Sequence, residues 1–303
     1  MDVKRLLVLV TAVLLCAAGA GVASAAIVPA VHHLSVTGRA TLTPRAAPMT
    51  TVRNPVPSPV DPLATAAAVQ QAMQAVLPNA QVGFEVFDRQ TGTVLTSHHT
   101  GQQFPAMSVV KLLIALDTLA SDNWVALDEE TRQEIHQMLA DSDDQIADRL
   151  WTAHGGPAIV TRMVSLLGLT GTRPPDDPSE WGDTKITPQD MVTVYRYITD
   201  QLPNPDRDLV LGALADAPQI ATDGFDQYFG IPRGMPHSTW AIKQGWGTSG
   251  SQAVMNSTGL VGTDLRYVVV VLAAASADSY STVPAVVTAG ARVLAGLLGT
   301  TAS

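Results

Sequence analysis

The rhythm of apolar and polar positions divides the chain into three stretches. An apolar run from Leu6 to Leu15 follows Lys4 and Arg5, and small residues lead from it to Ala23-Ser24-Ala25. From residue 26 to 62 no period of 2 or 3.6 persists, and seven prolines, from Pro29 to Pro62, recur among small and polar residues. Regular patterning sets in only from Leu63 onward.

Within 63–303, the Ala- and Gln-rich segment Ala64 to Val76 predicts a helix ended by Pro78. Val82 to Phe87 alternates, and the turn residues Asp88 to Gly92 lead into a second strand, Thr93 to Ser97, so a hairpin is predicted. Helical patterning then fills Val109 to about Leu202, broken at Gly155-Gly156-Pro157 and by a loop from Thr170 to Thr187. Trp240 to Gly247 reads as a strand entering a glycine turn. Gln252 to Val261 and Arg266 to Ala273 read as strands paired around Gly262-Thr263-Asp264, and a helix from about Val283 to Leu298 closes the chain. Strands near both ends with helices between them predict an α+β fold. Its antiparallel sheet is built from both ends of the domain in an α/β sandwich, with an all-helical insertion lobe. No internal repeat is present.

Composition narrows the function classes. The 18 basic residues face 27 acidic ones, for a formal charge of -9. A nucleic-acid binder needs a basic stripe to displace phosphate counterions, so that class is excluded. At 46% hydrophobic and 15% charged residues, the chain can build a core and is not disordered as a whole. The basic start, apolar run and Ala-Ser-Ala site read as a secretory signal peptide over residues 1–25, which places the protein outside the cytoplasm, secreted or in the cell envelope. The run is short for a bilayer span, so an uncleaved leader is the one membrane contact the sequence offers. Leu15 stands before Cys16 where a lipoprotein signal wants a small residue, which reads against lipidation. Residues 26–62 read as an extended Pro-rich linker, and 63–303 as a single folded domain, taken to be monomeric. The lone cysteine, Cys16, excludes a disulfide framework and CxxC motifs.

Four lysines occur: Lys4, Lys111, Lys185 and Lys243. In Phe104-Pro105-Ala106-Met107-Ser108-Val109-Val110-Lys111, a proline stands where helices begin, and Ser108 and Lys111 are three apart, on one helix face. A lysine in a dry, cationic site loses enough basicity to activate a serine, and a nearby helix N-terminus favours a developing oxyanion. Ser142-Asp143-Asp144 opens a helix and by itself reads equally as an acidic cap. In Trp240-Ala241-Ile242-Lys243-Gln244-Gly245-Trp246-Gly247, Lys243 sits on a strand.

The ordered set Ser108-x-x-Lys111, Ser142-Asp143-Asp144 and Lys243-Gln244-Gly245 resembles the serine β-lactamase and penicillin-binding protein superfamily, closest to class A β-lactamases. Phe104-Pro105 and the segment Asp183 to Met191 extend the likeness, which runs from about Leu63 to the C-terminus. The resemblance implies a β-lactamase-like fold and acyl-enzyme chemistry on an amide or ester, with a small-molecule β-lactam or a peptidoglycan D-alanyl peptide as substrate. It makes Ser108 the nucleophile, Lys111 its general base and Ser142 the proton shuttle. Lys243 would bind the substrate carboxylate and tune the site electrostatically, with Asp144, Gln244, Gly245 and Trp246 as further substrate-binding residues, and the backbone N–H groups of Ser108 and Trp246 would form the oxyanion hole.

Three positions depart from the family pattern. Asp144 replaces the usual Asn and sets a carboxylate that can hold Lys111 protonated. Gln244 replaces Thr or Ser. In the loop after Arg173, where class A enzymes carry a deacylating glutamate, Asp177-Pro178 is the nearest match and Glu180 the second candidate. These departures leave two readings open: an exported serine hydrolase, or a catalytically degenerate envelope binding protein on the same fold. Gly247-Thr248-Ser249-Gly250-Ser251 lacks the final glycine of a nucleophile elbow. The pairs His32-His33 and His98-His99 lack metal-ligand spacing, so neither a metal nor another cofactor is implied.

Overall fold

The computed structural model describes residues 61–120 and 127–299. The leader, Cys16, His32-His33 and nearly all of the Pro-rich stretch lie outside the described residues. The fold opens with α1 (Pro62–Val76), capped by the Asp61 carboxylate, which accepts from the Leu63 N–H at 2.9 Å. The hairpin follows as β1 (Gln81–Asp88) and β2 (Thr93–His98). A two-residue strand β3 (Phe104–Pro105) leads through a 3₁₀ turn, Met107–Val110, into α2 (Lys111–Ala120). The helical lobe continues with α3 (Glu129–Ala140), α4 (Asp144–Ala153) and α5 (Pro157–Leu167). After the loop come β4 (Lys185–Ile186), α6 (Pro188–Asp200), α7 (Asn204–Ala215) and the single turn α8 (Ile231–Gly234). The chain closes with β5 (Trp240–Ser249), β6 (Gln252–Val261), β7 (Tyr267–Ser276) and α9 (Val283–Leu297).

The five-stranded sheet has the order β2-β1-β7-β6-β5, antiparallel throughout, so the two ends of the domain do meet in one sheet at the β1–β7 pair. β7 shows why. Its residues 268–275 are all buried, which a strand manages only when both faces are covered. Val268, Val270, Leu272 and Ala274 pack toward the helical lobe, while Val269, Val271, Ala273 and Ala275 pack against α1 and α9. Each buried valine contributes roughly 1.5–3 kcal/mol, which makes this strand the central rib of the fold.

Two expectations need revision. The strand holding Lys243 does not turn at its glycines. Gly245 and Gly247 lie inside β5, and the turn comes later, at Gly250. Helical structure also extends beyond Leu202 into α7, where Pro203 and Pro205 occupy the cap and first turn, positions at which the missing proline N–H is no loss.

Candidate active site

Ser108 sits in the 3₁₀ turn, not on the α-helix itself, with Lys111 as the first residue of α2. Several contacts fix that turn. The Asn256 side-chain amide on β6 donates to the carbonyls of Pro105 and Ala106, at 2.8 and 3.1 Å. The Ala106 N–H donates to the Thr184 carbonyl at 2.7 Å, beside the β3–β4 pair. β5 passes so close that a Cβ on Gly245 would lie 2.6 Å from the Ala106 carbonyl oxygen, which is why this position needs glycine. Met107 (φ 48°) and Ser142 (φ 58°) are both in the left-handed region, a strain that side chains of this size accept only where the surroundings hold it.

The Lys111 Nζ donates to Ser108 Oγ at 2.7 Å and to Asp144 Oδ1 at 2.6 Å. It is fully buried, whereas the Asp144 side chain is 56% exposed. Burial drives the Lys111 ammonium below the ordinary lysine range, and the Asp144 charge opposes this without cancelling it. The Trp181 ring covers the amine at 4.3 Å. A second buried cation lies behind: the Lys243 Nζ donates to Ser142 Oγ at 3.0 Å. Burial, followed by repulsion from Lys111, holds Lys243 well below the usual lysine range. Lys111 thus makes Lys243 easier to deprotonate, and each lysine touches one serine hydroxyl.

These groups open onto a cleft of about 490 Å³. Ser108, Asp144, Trp246 and Glu180 line it, together with Asp148, Trp181, Asp183, Asp223 and Tyr280. Not every residue singled out in the sequence reaches it. Gln244 is fully buried, and its side-chain amide donates to the carbonyls of Gln227 and Phe229, at 3.1 and 2.7 Å. Lys243 and Gln244 are neighbours on a strand and so point to opposite faces; the glutamine therefore ties the 227–229 segment to β5 and makes no wall for a substrate. Asp177 is exposed and lies outside the cleft lining. Its Oδ1 accepts from the N–H and Oγ of Ser179, which hold its carboxyl below the usual range. Of the two candidates, the neighbouring Glu180 is the one that lines the cleft. The loop carrying both is anchored by Asp190, whose buried carboxylate accepts from the N–H groups of Thr170, Gly171 and Thr172 and from the Thr172 hydroxyl. Trp151 fastens it further by donating to the Pro178 carbonyl.

The model of the β-lactamase enzyme family matches residues 125–297, more than half of the chain, including Ser142 and Lys243. The chain belongs to the β-lactamase enzyme family. Its serine pair, lysine pair and sheet order place it in the serine β-lactamase and penicillin-binding protein superfamily, as the motif order implied. The protein named "Putative lipoprotein LppW" of Mycobacterium tuberculosis, and its namesake of Mycobacterium bovis, are 34% identical over 233 residues, 75% of this chain and 73% of theirs. Among solved structures, a class A β-lactamase from Mycobacterium abscessus superposes with a TM-score of 0.63 at 19% identity, over 78% of this chain and 99% of that one. The β-lactamase of Streptomyces albus G gives 0.60 at 21% identity (77% and 99% covered), and PBP-A gives 0.61 at 20% identity (78% and 97% covered). At these identities the likeness is one of fold, and the chain has the class A β-lactamase fold.

The sequence reading missed Trp181, Asp148 and the segment 223–229. Trp181 donates to Asp148 Oδ1 at 2.7 Å and Trp246 to Asp223 Oδ2 at 2.9 Å, and Phe225 stacks on Trp246 at 5.0 Å. One signal was available: the chain has only five tryptophans, and Trp181 and Trp246 each stand next to a glycine.

Proposed function

We propose that this chain is an exported serine hydrolase that acts through an acyl-enzyme at Ser108. The observation that carries the reading is the fully buried Lys111 amine, 2.7 Å from Ser108 Oγ at the edge of an open cleft, with its basicity lowered by burial. In its neutral form Lys111 takes the Ser108 hydroxyl proton as Oγ bonds to the substrate carbonyl carbon. The carbonyl oxygen gains the electron pair and is met by the Ser108 and Trp246 N–H groups; among the described residues β5 is the sheet edge, so its outer backbone groups are not used in pairing there. The C–N or C–O bond then breaks, and the leaving group takes a proton from Ser142, whose oxygen Lys243 supports. Water next attacks the ester carbonyl, a proton passes from it to Glu180, a carboxylate lining the cleft, and Oγ leaves with the proton that Lys111 holds. The charged, apolar and small-residue order of residues 1–25, together with the name of the LppW relatives, supports export to the cell envelope.

Asp144 supports a second reading, a binding protein without turnover, because its carboxylate stabilises the protonated form of Lys111. One experiment separates them: incubation of the protein and of Ser108→Ala with p-nitrophenyl acetate, a fluorescent penicillin and a chromogenic cephalosporin. Acyl transfer that depends on Ser108, followed by turnover, supports the hydrolase. A lasting label without turnover supports an acyl-enzyme that fails to deacylate. No adduct on Ser108 from any of the three sinks the acyl-enzyme reading and favours the binding protein, in which a protonated Lys111 cannot activate Ser108.

A further inference from the structure

The two lysines of the site are hidden from the cleft: Lys111 and Lys243 are 0% and 1% exposed, and neither lines it. What faces an incoming molecule is acidic. Asp144 is matched by Lys111, but Asp148, Glu180, Asp183 and Asp223 also line the cleft, and none of these four makes an ion pair among the described residues. Among the described residues no arginine or exposed lysine lines it, and Asp148 and Asp223 feel the buried Lys111 and Lys243 only through the field and not through an ion pair. Two of the four are held in place by the indole N–H groups of Trp181 and Trp246, so their charge is fixed beside aromatic faces and is not free to swing into solvent. The influence of Asp223 already reaches the neighbouring Tyr280, whose hydroxyl is pushed above its usual range, first by burial and then by that charge. Among the described residues these carboxylates form no group of three that could hold a metal ion, so a diffuse organic cation fits the wall better than a bare ion does.

A concave, low-dielectric cleft lined by one sign of charge focuses its field on the ligand, and indole faces add attraction for ammonium or guanidinium groups. We infer that this cleft selects acyl donors carrying a cationic group near the scissile carbonyl and disfavours donors whose only charge is a carboxylate. The inference rests on Ser108 being the acylated residue. In the step, a Ser108 Oγ–carbonyl bond forms, the ester C–O bond breaks, p-nitrophenolate leaves with the electron pair, and the serine proton passes to Lys111.

The test uses three p-nitrophenyl esters of similar length: a trimethylammoniobutyrate, a pentanoate and a glutarate monoester. Acylation rates are read from the mass of the Ser108 peptide, with Ser108→Ala as background. The cationic ester is expected to acylate at least tenfold faster than the anionic one at low salt, a difference of about 1.4 kcal/mol. That ratio should shrink severalfold at high ionic strength. In the variant Asp148→Asn with Asp183→Asn, which keeps an acceptor for Trp181, the ratio should fall by roughly the same factor. Equal rates for the three esters, a faster anionic ester, or a cationic preference that neither salt nor the double variant reduces would each overturn the inference while leaving Ser108 acylation intact. No Ser108 adduct from any ester would overturn the proposed function with it.

Discussion

Asp144→Asn isolates the residue that sets this site apart from its family pattern. Its Oδ1 lies 2.6 Å from the Lys111 Nζ. Even with the screening of bulk water, opposite unit charges at that separation attract by about 1.6 kcal/mol, and the side chain is exposed enough for water-like screening to be the right lower bound. The substitution keeps an acceptor oxygen and removes the charge. Lys111 is already below the ordinary lysine range because of burial; Asp144 pulls it up, so the variant lets it fall further. The neutral amine, which is the active form, then becomes up to about tenfold more abundant at any pH where Lys111 is still mostly protonated. The single-turnover rate of acetyl transfer from p-nitrophenyl acetate to Ser108, measured by quenched-flow mass spectrometry from acidic to alkaline pH, should rise by up to about tenfold on the acidic limb of the profile in the variant. The two proteins should converge at high pH, where Lys111 is neutral in both. A variant slower at every pH, with a lower alkaline plateau, would refute the reasoning and make Asp144 a group that orients Lys111 and does not merely hold its proton.

Three further outcomes follow from the fold. Asp88, buried and bound by Arg266 at 2.6 and 2.9 Å, has its carboxyl lowered to about 2, chiefly by those hydrogen bonds. Its folded value lies below its unfolded one, so its contribution is full above about pH 4 and lost as pH falls toward about 2; Asp88→Asn should therefore cost about 2 kcal/mol in urea unfolding at neutral pH, with the gap closing over that acidic window. Gly245→Ala should force the Ala106 carbonyl away, destabilise by about 1–3 kcal/mol and slow Ser108 acylation, as thermal melts and burst kinetics would show. Asp190→Ala removes the acceptor of three N–H groups and a hydroxyl, so hydrogen exchange over 170–173 should quicken and stability should drop by about 3 kcal/mol.

The sheet was legible because its strands are long and their burial is written as apolar runs; β6 and β7 fall within a residue or three of their sequence limits. The Ser108–Lys111 pair was legible through spacing, since a separation of three keeps the two on one side whether the turn is 3₁₀ or α; the Lys243–Ser142 pair, 101 residues apart, was not. Gln244 was misplaced because it was judged by its position in a motif, although the alternation of the strand already set it on the face opposite Lys243. Asp177 and Glu180 could not be separated by sequence, because the Ser179 turn that occupies Asp177 is a matter of local hydrogen bonding within an irregular loop. The acidic wall was invisible for another reason: Asp148, Glu180 and Asp223 come from α4, a loop and the segment before α8, and only tertiary folding brings them to one cleft.

The central claim is that Ser108 becomes acylated with Lys111 as its base. Brief exposure to p-nitrophenyl acetate followed by peptide mapping tests it most directly, applied to the unaltered protein, Ser108→Ala and Lys111→Arg, the last keeping the positive charge and losing the base. A single acetyl group on the Ser108 peptide, absent in Ser108→Ala and formed at least a hundredfold more slowly in Lys111→Arg, is the predicted result. Equal labelling of Ser108→Ala, or a Lys111→Arg protein that acylates as fast as the unaltered one, would contradict it.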